Sequence, residues 1–207
     1  QKWSVKGITL RSKGGNLQGK LKRLTSKVVL FIVTTKCKEN RSSVTFQFIQ
    51  QTEQPNNYWL VELEQDNSQP APINLQLTVD GVAMQLFAQH HNRLQFLSTQ
   101  AVSLFLGSQI NSPKNSQAWL FLNDIVKDLF KEKPVLILAS GIKIATAFYL
   151  SKALSNDFDI RVILHAENAF PFQIKPARFM FANFPAYAIG ASTLLEDWKI
   201  PNRLCCD

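Results

Sequence analysis

The stretch of residues 134–150 most constrains what this chain can fold into. Residues 135–139 are an apolar run typical of a buried strand, and a helix is predicted from Ile142 to Leu154. Gly141 stands between them and permits a sharp turn. The first amides of such a helix have no intrahelical partner and lie at the positive end of its dipole. This turn is therefore a candidate binding site for an anion, including a nucleotide phosphate.

Strands and helices alternate along the rest of the C-terminal part. A second strand is predicted over residues 160–165, a helix over residues 191–198 and a third strand over residues 200–206. This alternation favours a parallel sheet with right-handed crossovers, and ligands of such sheets lie at the carboxyl ends of the strands. Those ends are residues 139–141, 164–167 and 205–207.

The first part of the chain is rich in predicted strands. Residues 28–33 form a continuous apolar run, as expected of a strand buried on both faces. The clearest signal is a hairpin around Asp80 and Gly81, whose two-residue turn pairs Val79 with Val82. The same register pairs Leu77 with Met84 and Leu75 with Leu86, which puts all six apolar side chains on one face.

We therefore expect an α/β C-terminal module with a parallel sheet, preceded by an antiparallel β-barrel-like N-terminal domain. The boundary is predicted within a polar linker, residues 107–115, which gives a β-rich domain over residues 1–110 and a nucleotide-binding-like domain over residues 111–207. A packing helix is predicted around residues 119–130. The chain begins at Gln1 rather than Met, so we expect a segment of a longer protein with its second domain truncated.

Charge is concentrated at the start of the chain. The net charge is +8, and residues 1–41 alone carry +10. A basic arm of this kind suits a nucleic-acid ligand or simply a solvated face of a β-domain. Because no aromatic residues interleave with the charges as stacking platforms, we do not expect nucleic-acid binding.

Several kinds of site are not expected. No apolar run approaches the roughly 20 residues that span a bilayer, so no membrane association is predicted. His90 and His91 are neighbours whose side chains diverge in an extended chain, and no metal site is predicted. The cysteines, at positions 37, 205 and 206, are a poor disulfide framework, which favours reduced thiols and a cytoplasmic location.

The segment of residues 133–207 resembles the nicotinamide-binding half of the ferredoxin–NADP reductase superfamily, and in particular the electron-transfer subunits of the dihydroorotate dehydrogenase type. That half has a turn of the form G-G-x-G-x-x-P. Here Gly141 matches the second glycine, whereas Ser140, Lys143 and Thr146 replace the first glycine, the third glycine and the proline. Lys143 either places an ammonium beside a phosphate or obstructs the close approach that glycine allows.

The resemblance implies a set of cofactor-binding residues on the three strand ends. They are Ser140, Gly141, Ile142, Lys143 and Thr146 for the nucleotide, His165 and Glu167 near its ribose, and Cys205 at the third strand end. In this superfamily the preceding barrel binds a flavin through an arginine, an aromatic residue and a serine or threonine on one strand. A distorted version of that motif is Arg93, Phe96 and Ser98.

Two functions remain open from the sequence. The first is an electron-transfer oxidoreductase subunit that depends on NAD(P)H and on FAD or FMN, and that acts with a redox partner subunit. Some subunits of this type also carry an iron–sulfur centre, on which this sequence carries no information. The second is a non-catalytic binding module with a decayed nucleotide site, whose basic β-domain contacts an acidic partner or nucleic acid.

Overall fold

The computed structural model describes residues 29–31, 44–66, 69–112, 122–127, 134–179 and 190–206. Most of the basic arm and Cys37 lie outside these residues. The strands are β1 (Val29–Phe31), β2 (Thr45–Gln54), β3 (Tyr58–Gln65), β4 (Gln76–Val79), β5 (Val82–His90), β6 (Arg93–Ser98), β7 (Gln109–Asn111), β8 (Val135–Ser140), β9 (Ile160–Ala166), β10 (Ile174–Pro176), β11 (Gly190–Ser192) and β12 (Asn202–Cys206). The helices are α1 (Leu122–Lys127), α2 (Ile144–Leu154) and α3 (Thr193–Asp197).

Six antiparallel strands form a nearly closed, barrel-like sheet in the order β4-β5-β6-β3-β2-β7. Alternate residues of these strands face inward, because side chains on a strand alternate between the two faces of the sheet. The interior is apolar and fully buried at its centre, where the rings of Phe46 and Phe96 meet edge to face at a centroid distance of 6.3 Å. The predicted barrel-like domain is therefore confirmed.

The hairpin between β4 and β5 has the predicted register. Val79 pairs with Val82 and Leu77 with Met84. Asp80 and Gly81 both have positive φ angles, 50° and 80°, as a two-residue turn that matches the strand twist requires. Part of the predicted linker, however, is strand: β7 pairs with β2 and adds an edge strand to the barrel. Ile110 of this strand is buried in the barrel core, whereas the polar residues on either side of it are exposed.

A second, parallel sheet has the strand order β1-β8-β9-β12. Strands β8, β9 and β12 are the three predicted from the sequence, and α2 follows β8 as expected. β1, from the segment that precedes the barrel strands, pairs with β8 in this sheet. The predicted helix over residues 191–198 is shorter than expected, because Gly190–Ser192 pairs with β10 as β11 before α3 begins.

Helix α2 lies between the parallel sheet and the barrel. Its Phe148 contacts Phe87 of β5, Phe172 and Trp198, with ring centroids 5.5, 5.6 and 6.2 Å away. Tyr149 touches the apolar cores of both modules. This packing brings the outer face of β5 against the start of α2, which is where the candidate site begins.

Candidate functional site

The carboxyl ends of β8, β9 and β12 place three of the predicted residues in one row. Ser140 pairs with His165, and His165 pairs with Cys205. Because residues paired in a parallel sheet point to the same face, these side chains share the face opposite α2. The Ser140 Oγ lies 3.1 Å from the His165 Nδ1, within hydrogen-bonding distance. The row presents a hydroxyl, an imidazole and a thiol along one edge of the sheet.

The turn after this row is open at its glycine. Gly141 has a φ angle of +58°, and a side chain added there would meet no atom within 4 Å. Glycine is therefore required for the backbone conformation rather than for space. Gly141–Lys143 forms a 3-10 turn that leads into α2. The space beside Gly141 is therefore open, and the anion site expected at this turn stays a prediction.

Thr146 lies in the first turn of α2 and is only 2% exposed. Its Oγ1 finds no hydrogen-bond partner among the residues that the structure describes. A buried hydroxyl without a partner costs free energy of folding, and such groups are uncommon in folded proteins. Because this hydroxyl is buried, it does not face an open site in this structure, and the neighbouring Ile142 side chain offers only apolar contact.

The side chain of Lys143 extends from the turn to the barrel and contacts it. Its Nζ donates to the Oε1 of Gln85, at 2.6 Å, and to the Oε1 of Gln76, at 3.1 Å. Partial burial lowers the pKa of the Lys143 ammonium, because desolvation disfavours the charged form. Both alternatives drawn from the sequence, a phosphate ligand and an obstruction, assumed that Lys143 faces the ligand. In this structure the Lys143 ammonium instead binds Gln76 on β4 and Gln85 on β5.

The loop after β9 is held by the barrel as well. Asn56 donates from its Nδ2 to the carbonyl of Phe170 at 2.7 Å, and the Tyr58 hydroxyl lies 3.3 Å from the carbonyl of Ala169. Asn56 lies in the turn between β2 and β3 and has a left-handed conformation, with a φ angle of 62°. Glu167 lies at the start of this loop with its side chain exposed. The barrel therefore contacts two of the segments that border the row.

Cys205 and Cys206 differ in their surroundings. Cys205 is half-buried in the row, whereas Cys206 is exposed, and both are free thiols. Burial raises the pKa of the Cys205 thiol, and the charge of a neighbouring Cys206 thiolate raises it further. Cys205 is thus held as a neutral thiol, which suits a packing or polar contact better than nucleophilic attack.

The distorted flavin motif does not fit a flavin. Phe96 is fully buried inside the barrel, and the Ser98 Oγ is occupied by its bond to the carbonyl of Gln100 at 2.7 Å. Arg93 forms an ion pair with Glu62 at 3.3 Å. Phe96 and Ser98 are thus enclosed in the barrel and do not face a flavin, whereas Arg93 lies on the surface with its side chain 57% exposed.

Sequence reasoning missed the barrel residues that border the site: Gln76, Gln85, Asn56 and Tyr58. The one local signal was Gln85, a polar residue in an otherwise apolar stretch of β5. It faces outward, toward α2, while Met84 and Leu86 face the barrel interior. For Asn56 and Tyr58, the turn sequence indicated only a loop.

Within the described ranges, no group of three or more His, Cys, Asp or Glu side chains could hold a metal ion. Each helix in that part of the chain is too short or too polar to cross a membrane.

No protein-family model and no curated protein matches the sequence. Solved structures do match. Phthalate dioxygenase reductase, described as modular for electron transfer from pyridine nucleotides to a 2Fe–2S centre, is 14% identical with a TM-score of 0.50; the match covers 80% of this chain and 52% of that chain. An Amycolatopsis cytochrome P450 reductase is 12% identical with a TM-score of 0.50, covering 80% and 51%.

A third match is flavohemoglobin from Malassezia yamatoensis with bound FAD and heme, which is 11% identical with a TM-score of 0.51 and covers 79% of this chain and 45% of that one. The chain therefore spans about half the length of these proteins. At such identities the likeness establishes the fold alone. That fold, a barrel followed by a parallel α/β module, is the ferredoxin–NADP reductase-like fold expected from the resemblance.

Proposed function

We propose that this chain is part of an electron-transfer oxidoreductase and binds a nicotinamide nucleotide at the carboxyl edge of its parallel sheet. The observation that carries the proposal is the meeting of the open Gly141 turn with the row of Ser140, His165 and Cys205. The fold is one that the cited reductases use, and phthalate dioxygenase reductase takes electrons from pyridine nucleotides.

Each residue of the edge has a role in this proposal. The main chain at Gly141 and Ile142 holds the phosphates, helped by the positive end of the α2 dipole. The Ser140 hydroxyl and the His165 imidazole orient polar groups of the nucleotide, and the Glu167 carboxylate accepts from a ribose hydroxyl. Cys205, as a neutral thiol, lines the end of the third strand. The nicotinamide, when bound, supplies the hydride chemistry.

The electron acceptor is proposed to be FAD or FMN, with a redox partner subunit beyond it. Since Phe96 and Ser98 are buried within the barrel, the proposal assigns neither of them to the flavin. The visible spectrum of the purified protein decides this part: a flavin absorption band is expected if the chain carries the cofactor itself.

Nucleotide binding is tested with NADH and the variant Ser140→Ala. Ser140 is exposed and its Oγ lies 3.1 Å from the His165 Nδ1, so the variant should lose no more than about 1 kcal/mol of stability. The affinity for NADH, measured by fluorescence titration, should fall by about tenfold if the hydroxyl orients the nucleotide. A wild-type protein that is colourless and does not bind NADH would contradict the proposal.

A second candidate function is a non-catalytic binding module. It is favoured by the contacts of Lys143 with Gln85 and of Phe148 with Phe87, which fill the space between the start of α2 and the barrel with side chains. A decayed site of this kind would retain the fold without nucleotide affinity. Salt-dependent retention on DNA or on an acidic matrix, together with failure to bind NADH, would support this function instead.

A further inference from the structure

We propose that Lys143 is a positioning residue that fastens the Gly141 turn to the β4–β5 hairpin of the barrel, and so sets the shape of the proposed nucleotide site without contacting the ligand. The influence on nucleotide binding rests on the proposed function. The fastening of the turn does not, and it can be measured in the protein alone.

The hydrogen bonds of Gln85 fix the geometry of its contact with Lys143. Gln85 is 0% exposed, and its Nε2 donates to the carbonyl of Leu75 at 3.0 Å. With its amide nitrogen engaged there, the Oε1 of Gln85 faces Lys143 and accepts from the Nζ at 2.6 Å. Gln76, on the paired strand opposite Gln85, provides the second acceptor. Two neighbouring positions of one hairpin thus bind a single ammonium.

The strength of this contact comes from charge and from partial burial. A hydrogen bond from an ammonium is stronger than one between neutral groups, and it strengthens further where water is partly excluded. Removing Lys143 would leave the Oε1 of the fully buried Gln85 without its donor, which adds the cost of an unsatisfied polar atom. The contact is therefore expected to persist rather than exchange freely with water.

The 3-10 turn at Gly141–Lys143 has no side-chain capping bonds that could stabilise it locally. Ser140, the residue before the 3-10 turn, makes no side-chain capping bond, and neither does Lys143 at the start of α2. Gly141 has more conformational freedom than other residues, so the turn has an entropic cost of ordering. A bond from Lys143 to a rigid hairpin limits that freedom. Where the superfamily pattern has a glycine, this chain therefore has a residue that links the turn to the barrel.

The first experiment follows hydrogen exchange of the backbone amides of residues 141–144 in the protein without ligand. The variants are Lys143→Met, Gln85→Met and the double variant. Lys175→Met, which changes an exposed lysine on β10, is the matched control. We expect exchange at the turn to rise by about tenfold in both single variants, with no further rise in the double variant and none in the control.

Folding is not expected to fail in Gln85→Met, because the Leu75 carbonyl keeps its bond from the Leu86 amide at 3.0 Å. Should that variant not fold, Gln76→Ala removes the half-exposed acceptor alone and should give a smaller increase in exchange. Unchanged exchange at residues 141–144 in Lys143→Met, or in Gln76→Ala where that variant is used, overturns the inference.

The second experiment measures NADH affinity in the same variants. Lys143→Met and Gln85→Met should weaken binding by the same factor, about tenfold, because both reduce the population of the binding-competent turn. Weakening in Lys143→Met alone would identify Lys143 as a direct phosphate ligand and overturn the inference. If exchange rises as expected but the wild type binds no NADH, the positioning role stands and the proposed function falls.

Discussion

The ring of Phe148 on α2 lies 5.5 Å from the ring of Phe87 on β5, centroid to centroid. The two residues belong to different modules, and Phe148 is only 2% exposed. Aromatic pairs at this spacing and tilt contribute beyond the area that they bury. The barrel and the α/β module are therefore joined by apolar packing between α2 and β5.

The first prediction concerns this junction. Phe148→Ala should lower the free energy of unfolding by about 3 to 5 kcal/mol, because it leaves a cavity among Phe87, Phe172 and Trp198. Urea denaturation, followed by both tryptophan fluorescence and circular dichroism, measures the change. Phe105→Ala is the matched control: Phe105 is 85% exposed, so its loss should alter stability by no more than about 0.5 kcal/mol. Equal effects of the two substitutions would contradict this view of the junction.

The second prediction concerns the hairpin turn. Gly81→Ala should destabilise by about 1 to 2 kcal/mol, the cost of a side chain at a positive φ angle. No atom lies within 4 Å of the added Cβ, so the whole cost is conformational. Gly81→Asn, which tolerates this conformation better, should cost less. Thermal unfolding checks the order of the three proteins, and an alanine variant as stable as the wild type would refute the assignment of the turn.

The third prediction concerns a buried polar cluster beneath α3. Asn202 accepts from the Ser192 amide at 2.7 Å and donates to the Oε1 of Glu196 at 3.1 Å. Asn202→Ala should destabilise by about 2 to 4 kcal/mol, because Glu196, only 3% exposed, loses a donor to its carboxylate.

Ser192→Ala tests the same cluster in the opposite direction. The Ser192 Oγ is buried and has no hydrogen-bond partner in the part of the chain that the structure describes. Its removal should therefore be neutral or slightly stabilising. A loss as large as that of Asn202→Ala would mean that the hydroxyl has a partner after all.

The fourth prediction concerns alkaline pH. Burial raises the pKa of the Cys205 thiol above its ordinary value of 9.0, and Cys206 adds to the rise. The folded chain thus keeps this proton at a pH where the unfolded chain releases it, so stability is lost as the pH rises above about 9. Cys205→Ala should remove that part of the loss in denaturation measured at about pH 8 and about pH 10. An unchanged pH dependence would exclude Cys205 as its source.

The fifth prediction concerns nucleotide preference and depends on the proposed function. Glu167 is exposed at the end of β9, where a carboxylate favours a ribose hydroxyl and repels a 2′-phosphate. NADH should therefore bind more tightly than NADPH. Glu167→Gln should reduce that preference by about tenfold at low salt, where like-charge repulsion is least screened. Asp197→Gln, which changes an exposed carboxylate on α3, is the control and should leave the preference unchanged.

Local patterns were sufficient to predict much of the fold. The β4–β5 hairpin followed from alternation and the Asp80–Gly81 turn, and β8, α2 and β9 followed from apolar runs broken at Gly141. The row of Ser140, His165 and Cys205 could also be predicted, because the carboxyl ends of neighbouring parallel strands meet at one edge of the sheet.

The rest depends on contacts between distant residues. Gln85 and Lys143 are 58 residues apart, and Asn56 and Phe170 are 114 apart. Nothing in a local window indicates that a glutamine on a barrel strand binds a lysine on a helix of the other module. Likewise, β11 forms as a strand because β10 pairs with it, although its sequence continues into a helix.

The pairing of β1 with β8 has a consequence for how this protein folds. Val29 lies opposite Val135, and the strands of the barrel all stand between them in the sequence. Closing so long a loop has an entropic penalty, and folding slows as contacts become more distant along the chain. The parallel sheet therefore cannot be completed until the barrel strands and β8 have been synthesised. We therefore expect the pairing of β1 with β8 to form later than contacts that are closer in the sequence.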